Sequence, residues 1–172
     1  MAFIRSNNTV LAFADSDDVR QLDQRLFEAN EGLSDDDILE DATIRSTERI
    51  LFMIRSTDWW KSYYIRQSAG NVVYTSRLVE IPVPNANLIL NRQNDFSELC
   101  AFHALYEYLL PKVADFSNED SAEVRKIGVY REKFNRLFEE LIQDGSWYDF
   151  NSDGTVTNLE KMPTVTNLRR VR

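Results

Sequence analysis

The sequence predicts a mainly α-helical fold, a bundle of four to five helices with short β-hairpin elements and an extended C-terminal arm. Two observations carry this prediction. Apolar residues recur at intervals of three and four in both halves of the chain, which is the period of a half-buried helix. Between those halves, and again after them, β-prone stretches alternate with Pro, Asn and Gly, which is typical of short strands joined by turns.

The chain has the size and apolar content of one domain. It holds 172 residues, of which 43% are hydrophobic, enough to bury a core. No internal repeat or linker rich in Pro, Gly or Ser divides it. We therefore expect residues 1–172 to form a single domain. Residues 68–92 are expected to be a β-hairpin or extended arm, and residues 145–172 a hairpin or loop followed by a basic C-terminal arm.

Two acidic helices are predicted in the first third of the chain. Ser16 is expected to N-cap the first helix, which ends at Gly32. Ser34 is expected to cap a second, longer helix with acidic residues in its positive first turn. The apolar seam of that helix consists of Leu39, Ala42, Ser46, Ile50 and Met53. The helix either continues through Trp59 and Trp60 or breaks at Thr57-Asp58, where a new cap can form.

Two further helices are predicted in the second half. One begins at Asp95 and is closed by Pro111. The next covers residues 124–142, has the clearest apolar periodicity, and ends at Asp144-Gly145. Outside these helices, residues 72–75 and 78–81 are β-prone, and residues 147–156 surround an Asp-Gly pair that predicts a hairpin.

The charge is unevenly distributed along the chain. The formal net charge is −8, and residues 15–48 hold twelve acids against three bases, whereas residues 161–172 hold four bases and no acid. An acidic chain without a basic stripe is a poor general nucleic-acid binder, because affinity for phosphates comes from clustered Lys and Arg. No apolar run is long enough to span a bilayer, and the start lacks the pattern of a signal peptide.

The sequence argues against an enzyme. Cys100 and His103 are the sole residues of their types, which removes zinc sites of Cys and His and the usual Ser-His-Asp and Cys-His layouts. The five glycines form no phosphate-binding loop. His103 lies on the apolar face of its helix and is expected to be a hydrogen-bonded core residue. No cofactor is required.

One motif matches a calcium-binding loop of twelve residues. Its ligand positions are filled by Asp149, Asn151, Asp153, Thr155, Thr157 and Glu160, with Gly154 at the sharp turn. The alternative is an Asp-Gly hairpin whose polar side chains make local turn bonds. No second loop of this kind follows, although such loops usually occur in pairs. Ca²⁺ is therefore a candidate ligand, and the two interpretations stay open.

Three segments are candidate interface elements. Trp59 and Trp60 form either a binding platform or a core pair. The stretch from Pro82 to Pro84 is a turn or an extended strut that can reach a neighbour. The basic end could touch nucleic acid, be disordered, or dock on the acidic first third of another copy, which is the interpretation we prefer. Its arginines are Arg169, Arg170 and Arg172.

The order of these segments resembles the head-to-tail connector, or adaptor, proteins of tailed bacteriophages. The resemblance lies in three stretches that together cover about half of the chain. They are the acidic pair of early helices (15–19, 33–37 and 42–50), the late helix segment Tyr130–Phe138, and the ending (145–154 and 168–172).

The resemblance implies a structural virion protein at the neck, assembled in the host cytoplasm. Proteins of that family form a ring, usually a dodecamer, beneath the portal protein. Such a ring joins the capsid to the next neck or tail-completion protein and extends the channel through which DNA leaves, without specific DNA binding or contact with a membrane. The alternative function is a calcium-binding helical interaction module built on residues 149–160.

Overall fold

A computed structural model describes residues 3–67, 77–117 and 121–157 of the chain. The fold is mainly helical, as predicted. The chain divides into two compact units: unit 1 contains Met1–Ile50 and Arg92–Leu141, and unit 2 contains Leu51–Asn91 and Ile142–Arg172. The described residues form six α-helices, one more than the upper end of the four to five expected. The chain breaks at Asp23 and at Thr57, and the side chain of each accepts an amide of the helix that follows. The helices are α1 Ser16–Leu22, α2 Gln24–Ala29, α3 Asp36–Ser56, α4 Asp58–Gln67, α5 Gln93–His103 and α6 Ala122–Asp144.

The β-hairpin of the described residues lies at the start of unit 1. Strands β1 (Ile4–Ser6) and β2 (Thr9–Ala12) pair in antiparallel fashion. The two residues between them, Asn7 and Asn8, both have positive φ angles, 49° and 64°. Two such residues form the turn that matches the twist of a tight hairpin, and Asn tolerates that conformation well.

The first acidic helix is shorter than predicted. Its N-cap is Asp15 rather than Ser16: the Asp18 amide donates to Asp15 Oδ1 at 2.7 Å, and the Asp15 amide donates to Asp18 Oδ2 at 3.3 Å. The helix ends at Asp23, whose Oδ1 accepts the Leu26 amide and caps α2. Asp23 also pairs with the Lys126 ammonium, 2.7 Å from its Oδ2, which secures the break between the two helices.

Helix α3 follows the predicted seam and then stops. The first backbone hydrogen bonds of the helix run from the amides of Ile38 and Leu39 to the Asp35 carbonyl oxygen. Of the predicted seam, four residues are buried and Met53 is half-buried. The helix ends at Ser56, and Thr57 Oγ1 accepts the Trp60 amide at 3.3 Å. The break at Thr57-Asp58 is therefore confirmed over the continuous helix.

The core of unit 1 gathers around α5. This helix continues into a π-helical stretch, Ala104–Leu109, and a short 3₁₀ turn that contains Pro111. Helix α6 contributes one apolar face, with Tyr130, Phe134 and Leu141 buried. It ends where predicted, at Gly145, which has a φ angle of +59°, the left-handed conformation that closes many helices.

Unit 2 lacks two of the expected strands. Leu78–Glu80 is a 3₁₀ turn, and residues 151–157 are bends and irregular backbone rather than the second strand of a hairpin. A second 3₁₀ turn covers Ala86–Leu88. The expected hairpin over 147–156 is replaced by a long-range bridge between Ile89 and Tyr148. Local β-propensity did not show this partner, because it lies far away in the sequence. Residues 72–75 fall outside the described residues.

Candidate functional site

The predicted calcium loop is a tight turn held by its own carboxylates. Asp149 is only 1% exposed. Its Oδ2 accepts the Gly154 amide at 2.8 Å and its Oδ1 accepts the Asp153 amide at 3.3 Å. Gly154 has a φ angle of +85°, which glycine adopts without strain. The motif therefore places its first carboxylate inside the turn.

The next two motif residues point their oxygens at the same turn. Asn151 Oδ1 accepts the Asp153 amide at 3.0 Å. Asp153 Oδ1 accepts both the amide and the hydroxyl of Thr155, at 2.8 and 2.7 Å. These bonds from Thr155 hold the pKa of the Asp153 carboxyl below its usual value. The side-chain oxygens of the predicted ligands thus bond to N–H and O–H groups within the loop.

Part of the predicted ligand set has no structural description. Thr157 is half-buried, and Glu160 lies outside the described residues. Within residues 3–67, 77–117 and 121–157, no three His, Cys, Asp or Glu side chains come together as a metal-binding group. A calcium ion would be held by Asp149, Asn151 and Asp153 together with Glu160, and this stays a prediction.

Trp59 and Trp60 form part of the core of unit 2. They are 4% and 0% exposed, so the core interpretation replaces the exposed platform. The Trp59 ring lies 4.8 Å from Trp147 and the Trp60 ring 4.9 Å from Tyr148, measured between centroids. Phe150 extends the cluster, stacking on Tyr63 at 3.8 Å. Indoles this enclosed stabilise the unit and offer no surface to a partner.

The proline stretch is packed rather than projecting. The Trp60 Nε1–H donates to the Pro82 carbonyl oxygen at 2.8 Å, and the neighbouring Ile81 is fully buried. Pro84 is also buried, whereas Val83 between the prolines is 40% exposed. Pro82 is half-buried, so the extended strut, one of the two expectations for Pro82 and Pro84, does not project, and the exposed side chain of this stretch is Val83.

Two irregular segments of unit 2, residues 85–90 and 147–149, are joined by hydrogen bonds. The Leu90 amide donates to the Trp147 carbonyl at 3.0 Å, and the Asp149 amide donates to the Leu88 carbonyl at 2.9 Å. The Tyr148 hydroxyl accepts the Asn85 amide at 3.1 Å. Burial raises the pKa of Tyr148 to about 12, so the phenol keeps its proton at neutral pH. These hydrogen bonds position Asp149 at the start of the loop of residues 149–155, which we call the carboxylate loop.

His103 is a buried, hydrogen-bonded core residue of unit 1, as predicted. Its Nδ1 lies 3.0 Å from Ser46 Oγ, and the residue is 2% exposed. Burial, with a smaller contribution from the Arg49 charge, lowers the pKa of His103 to about 4. Burial likewise raises the pKa of the Cys100 thiol to about 12. Both side chains are therefore neutral at pH 7.

Sequence reasoning missed a cleft in unit 1 between α1 and α5. We call it the α1–α5 cleft. Its volume is about 560 Å³, and it is lined by Asp18, Gln21, Leu22, Asn94, Glu98 and Ala101. Asp18 is 7% exposed, and burial raises its pKa above the usual value. The two carboxylates of the cleft belong to Asp18 and Glu98. No local sequence pattern predicts that they come together, because α1 and α5 lie far apart along the chain.

Comparisons with known proteins found no match to this chain. No protein-family model, curated protein or solved structure matches the chain. Among the described residues, no helix has the length and apolar character needed to cross a membrane. The predicted interface arginines Arg169, Arg170 and Arg172 lie outside the described residues.

Proposed function

We propose that the chain is a structural subunit of a bacteriophage neck, an adaptor that assembles head to tail into a ring beneath the portal protein. The proposal joins the resemblance of its sequence to that family with one observation from the fold. That observation is the opposite charge of the two units. The role is structural rather than enzymatic, and the site of action is the virion.

The charge of the chain separates by unit. The residues of unit 1 include 22 acids and 12 bases, a net charge of −10, whereas those of unit 2 include six acids and eight bases, a net charge of +2. A ring requires a heterologous interface, in which one surface meets a different surface on the next copy. The excess of bases in unit 2 comes from residues 161–172, so attraction between this tail and the acidic unit 1 of the next copy guides that encounter and fixes its polarity.

Exposed apolar side chains favour unit 2 as the contact surface. Eight large apolar side chains are exposed among the described residues, and five of them belong to this smaller unit. These five are Phe52, Ile65, Leu78, Val79 and Val83. Three of them, Leu78, Val79 and Val83, fall within six consecutive residues, and apolar side chains exposed as a group are typical of surfaces that are covered on assembly.

Val79 is the most exposed of these residues, at 89%. Arg55 holds the backbone at Val79 and just after it, because its Nε donates to the Ile81 carbonyl at 2.6 Å and its guanidinium also donates to the Val79 carbonyl at 3.3 Å. Presenting Val79 therefore needs no rearrangement of its backbone. A preorganised contact of this kind costs less conformational entropy on binding.

The negative charge of unit 1 agrees with a channel that DNA passes through. Lysine and arginine clusters would retain DNA through its phosphates, whereas acidic surfaces repel it. In the proposed ring the genome moves through without specific binding. The remaining partners are the portal protein on one side and the next neck or tail-completion protein on the other.

The proposal is tested by assembly. The full chain is purified alone and together with the portal protein from the same genome, and the masses are measured by light scattering. We expect a ring or a stable portal complex, and Val79→Asp weakens it while Val79→Ile leaves it intact. Circular dichroism checks the fold of both variants. A chain that stays monomeric and fails to co-purify with the portal protein contradicts the proposal.

A calcium-binding interaction module is the second candidate function. The observation that favours it is that Asp149, Asn151 and Asp153 hold their side-chain oxygens on one short turn, where these oxygens accept backbone amides. Oxygens of carboxylates and amides are the ligands that Ca²⁺ takes in proteins. Calorimetry with CaCl₂ separates this candidate from the first, because the adaptor function requires no bound calcium.

A further inference from the structure

We infer that the α1–α5 cleft of unit 1 is a docking site for an arginine side chain, and that its occupant is the C-terminal tail of a second copy of this chain. This inference rests on the proposed head-to-tail assembly and names one of its contacts.

The cleft combines the groups that recognise arginine. Asp18 and Glu98 bring two carboxylates, and Gln21 and Asn94 bring two carboxamides. A guanidinium group forms forked, charge-assisted hydrogen bonds with carboxylates. Beside these polar groups lie the apolar side chains Leu22 and Ala101, against which the aliphatic stem of an arginine can pack. The volume of about 560 Å³ falls within the range of roughly 300–1,000 Å³ typical of ligand pockets.

The cleft is a preformed feature of unit 1. Asp18 is fixed at the start of α1, because its Oδ2 accepts the Asp15 amide while its own amide donates to Asp15 Oδ1. Glu98 lies on α5 and is exposed. One carboxylate is therefore anchored and nine-tenths buried, and the other is available at the rim. A cation that binds between them offsets the free-energy cost of burying the charged carboxylate of Asp18.

The C-terminal tail has the complementary chemistry. Residues 161–172 hold four bases and no acid, and three arginines stand within the last four positions. Fifteen residues follow the last described residue, Thr157, and an extended chain of that length spans about 50 Å. Such a tail is long enough to reach a neighbouring subunit. Its charge matches unit 1, which has a net charge of −10.

The first experiment measures docking without any ring. The target is the full chain carrying Arg169→Gln, Arg170→Gln and Arg172→Gln, and the probe is a fluorescent peptide of residues 163–172. We expect the peptide to bind, and Asp18→Asn with Glu98→Gln to weaken binding about tenfold, or about 1.4 kcal/mol. The matched control, Glu40→Gln with Glu48→Gln, removes the same charge from exposed positions of α3 and leaves binding unchanged. Because Asp18 also caps α1, Glu98→Gln alone is measured as well and is expected to weaken binding severalfold.

The second experiment asks whether the tail docks on another copy. The variant with the neutralised tail is mixed with a variant that carries Asp18→Asn and Glu98→Gln and keeps its tail, and sedimentation velocity follows complex formation. We expect a heterodimer from the mixture and no complex from either variant alone. Peptide binding without a heterodimer overturns the assignment to a second copy, because the tail of one chain then fails to dock in the intact cleft of another.

The two proposals fail in different ways. No peptide binding, or equal weakening by the cleft variants and the α3 control, overturns the docking site even if the wild-type chain forms rings. Peptide binding and heterodimer formation with no ring and no portal complex uphold the docking site and contradict the adaptor function.

Discussion

The indole Nε1–H of Trp60 donates a hydrogen bond of 2.8 Å to the carbonyl oxygen of Pro82. This bond joins α4 to the irregular segment that follows it in unit 2. The Trp60 ring also packs against Tyr148 and Phe150, with centroids 4.9 and 5.3 Å away. One side chain therefore links all three segments that build the core of this unit.

Loss of this side chain is expected to destabilise the protein. Trp60→Phe removes the donor, leaves the Pro82 carbonyl without its partner and reduces the ring volume. We expect the free energy of unfolding to fall by about 2–3 kcal/mol. Urea denaturation measures it, with Phe52→Leu as the control. Because Phe52 is 51% exposed, that change should cost less than about 0.5 kcal/mol. Similar losses for the two variants would contradict the central position of Trp60.

Two glycines of unit 2 allow the energetic cost of backbone strain to be measured separately from that of a steric clash. Gly145 and Gly154 both have positive φ angles, 59° and 85°. A Cβ at position 145 would lie 2.7 Å from Trp59 Nε1, whereas a Cβ at position 154 would meet nothing within 4 Å. Gly154→Ala should therefore cost the backbone strain alone, about 1–2 kcal/mol.

Gly145→Ala should cost clearly more than Gly154→Ala, because Trp59 is buried in the aromatic cluster and has little room to move. Thermal unfolding of the two variants under identical conditions gives the comparison. An equal decrease in melting temperature would show that the approach of Gly145 to Trp59 is not a tight contact in the folded protein.

The buried imidazole of His103 predicts a pH dependence of stability. Its pKa is about 4 in the folded protein against an ordinary value of 6.5, so the unfolded chain binds more protons between these values. Stability should therefore fall as the pH is lowered from about 6.5 towards about 4. In His103→Gln, which keeps a polar group near Ser46, this part of the decrease should vanish. Melting temperatures from pH 7.5 to 4.5 test it, and parallel curves for the two proteins would contradict it.

Local patterns in the sequence were enough to predict most helices. The spacing of Leu39, Ala42, Ser46 and Ile50 predicted α3, and the Asp144-Gly145 end of α6 was correct. These elements are specified by periodicity and capping within a few residues. The break of the first helix was missed because Asp23 caps α2 and pairs with Lys126 on another helix, a contact that no local pattern displays.

The candidate sites were predicted less completely, for the same reason. The carboxylate loop is a local motif and was found from its spacing, although the bonds of Asp149 show how it closes on itself. The bridge between Ile89 and Tyr148 and the cleft beside Asp18 and Glu98 both depend on segments distant in sequence. The hairpin turn at Asn7-Asn8 was not predicted, although two consecutive asparagines are a local turn signal.

Calcium binding by the carboxylate loop makes a prediction of its own. The second candidate function requires heat on titration of the full chain with CaCl₂ and a higher melting temperature when calcium is present. Glu160→Gln should abolish both effects, because a glutamate at the last position supplies two ligand oxygens. Glu140→Gln, an exposed glutamate on α6, serves as the control. Absence of heat from the wild-type chain would dismiss the metal site and leave a hydrogen-bonded turn.

The most direct test of the adaptor proposal is the mass of the complex that the full chain forms with its portal protein, measured by mass photometry at low and high salt. We expect a closed ring of this chain on the portal, with the dodecamer as the expected form. Raised salt should weaken it, because the opposite charges of the two units are screened. A portal protein whose mass is unchanged by an excess of this chain at either salt concentration would overturn the adaptor proposal.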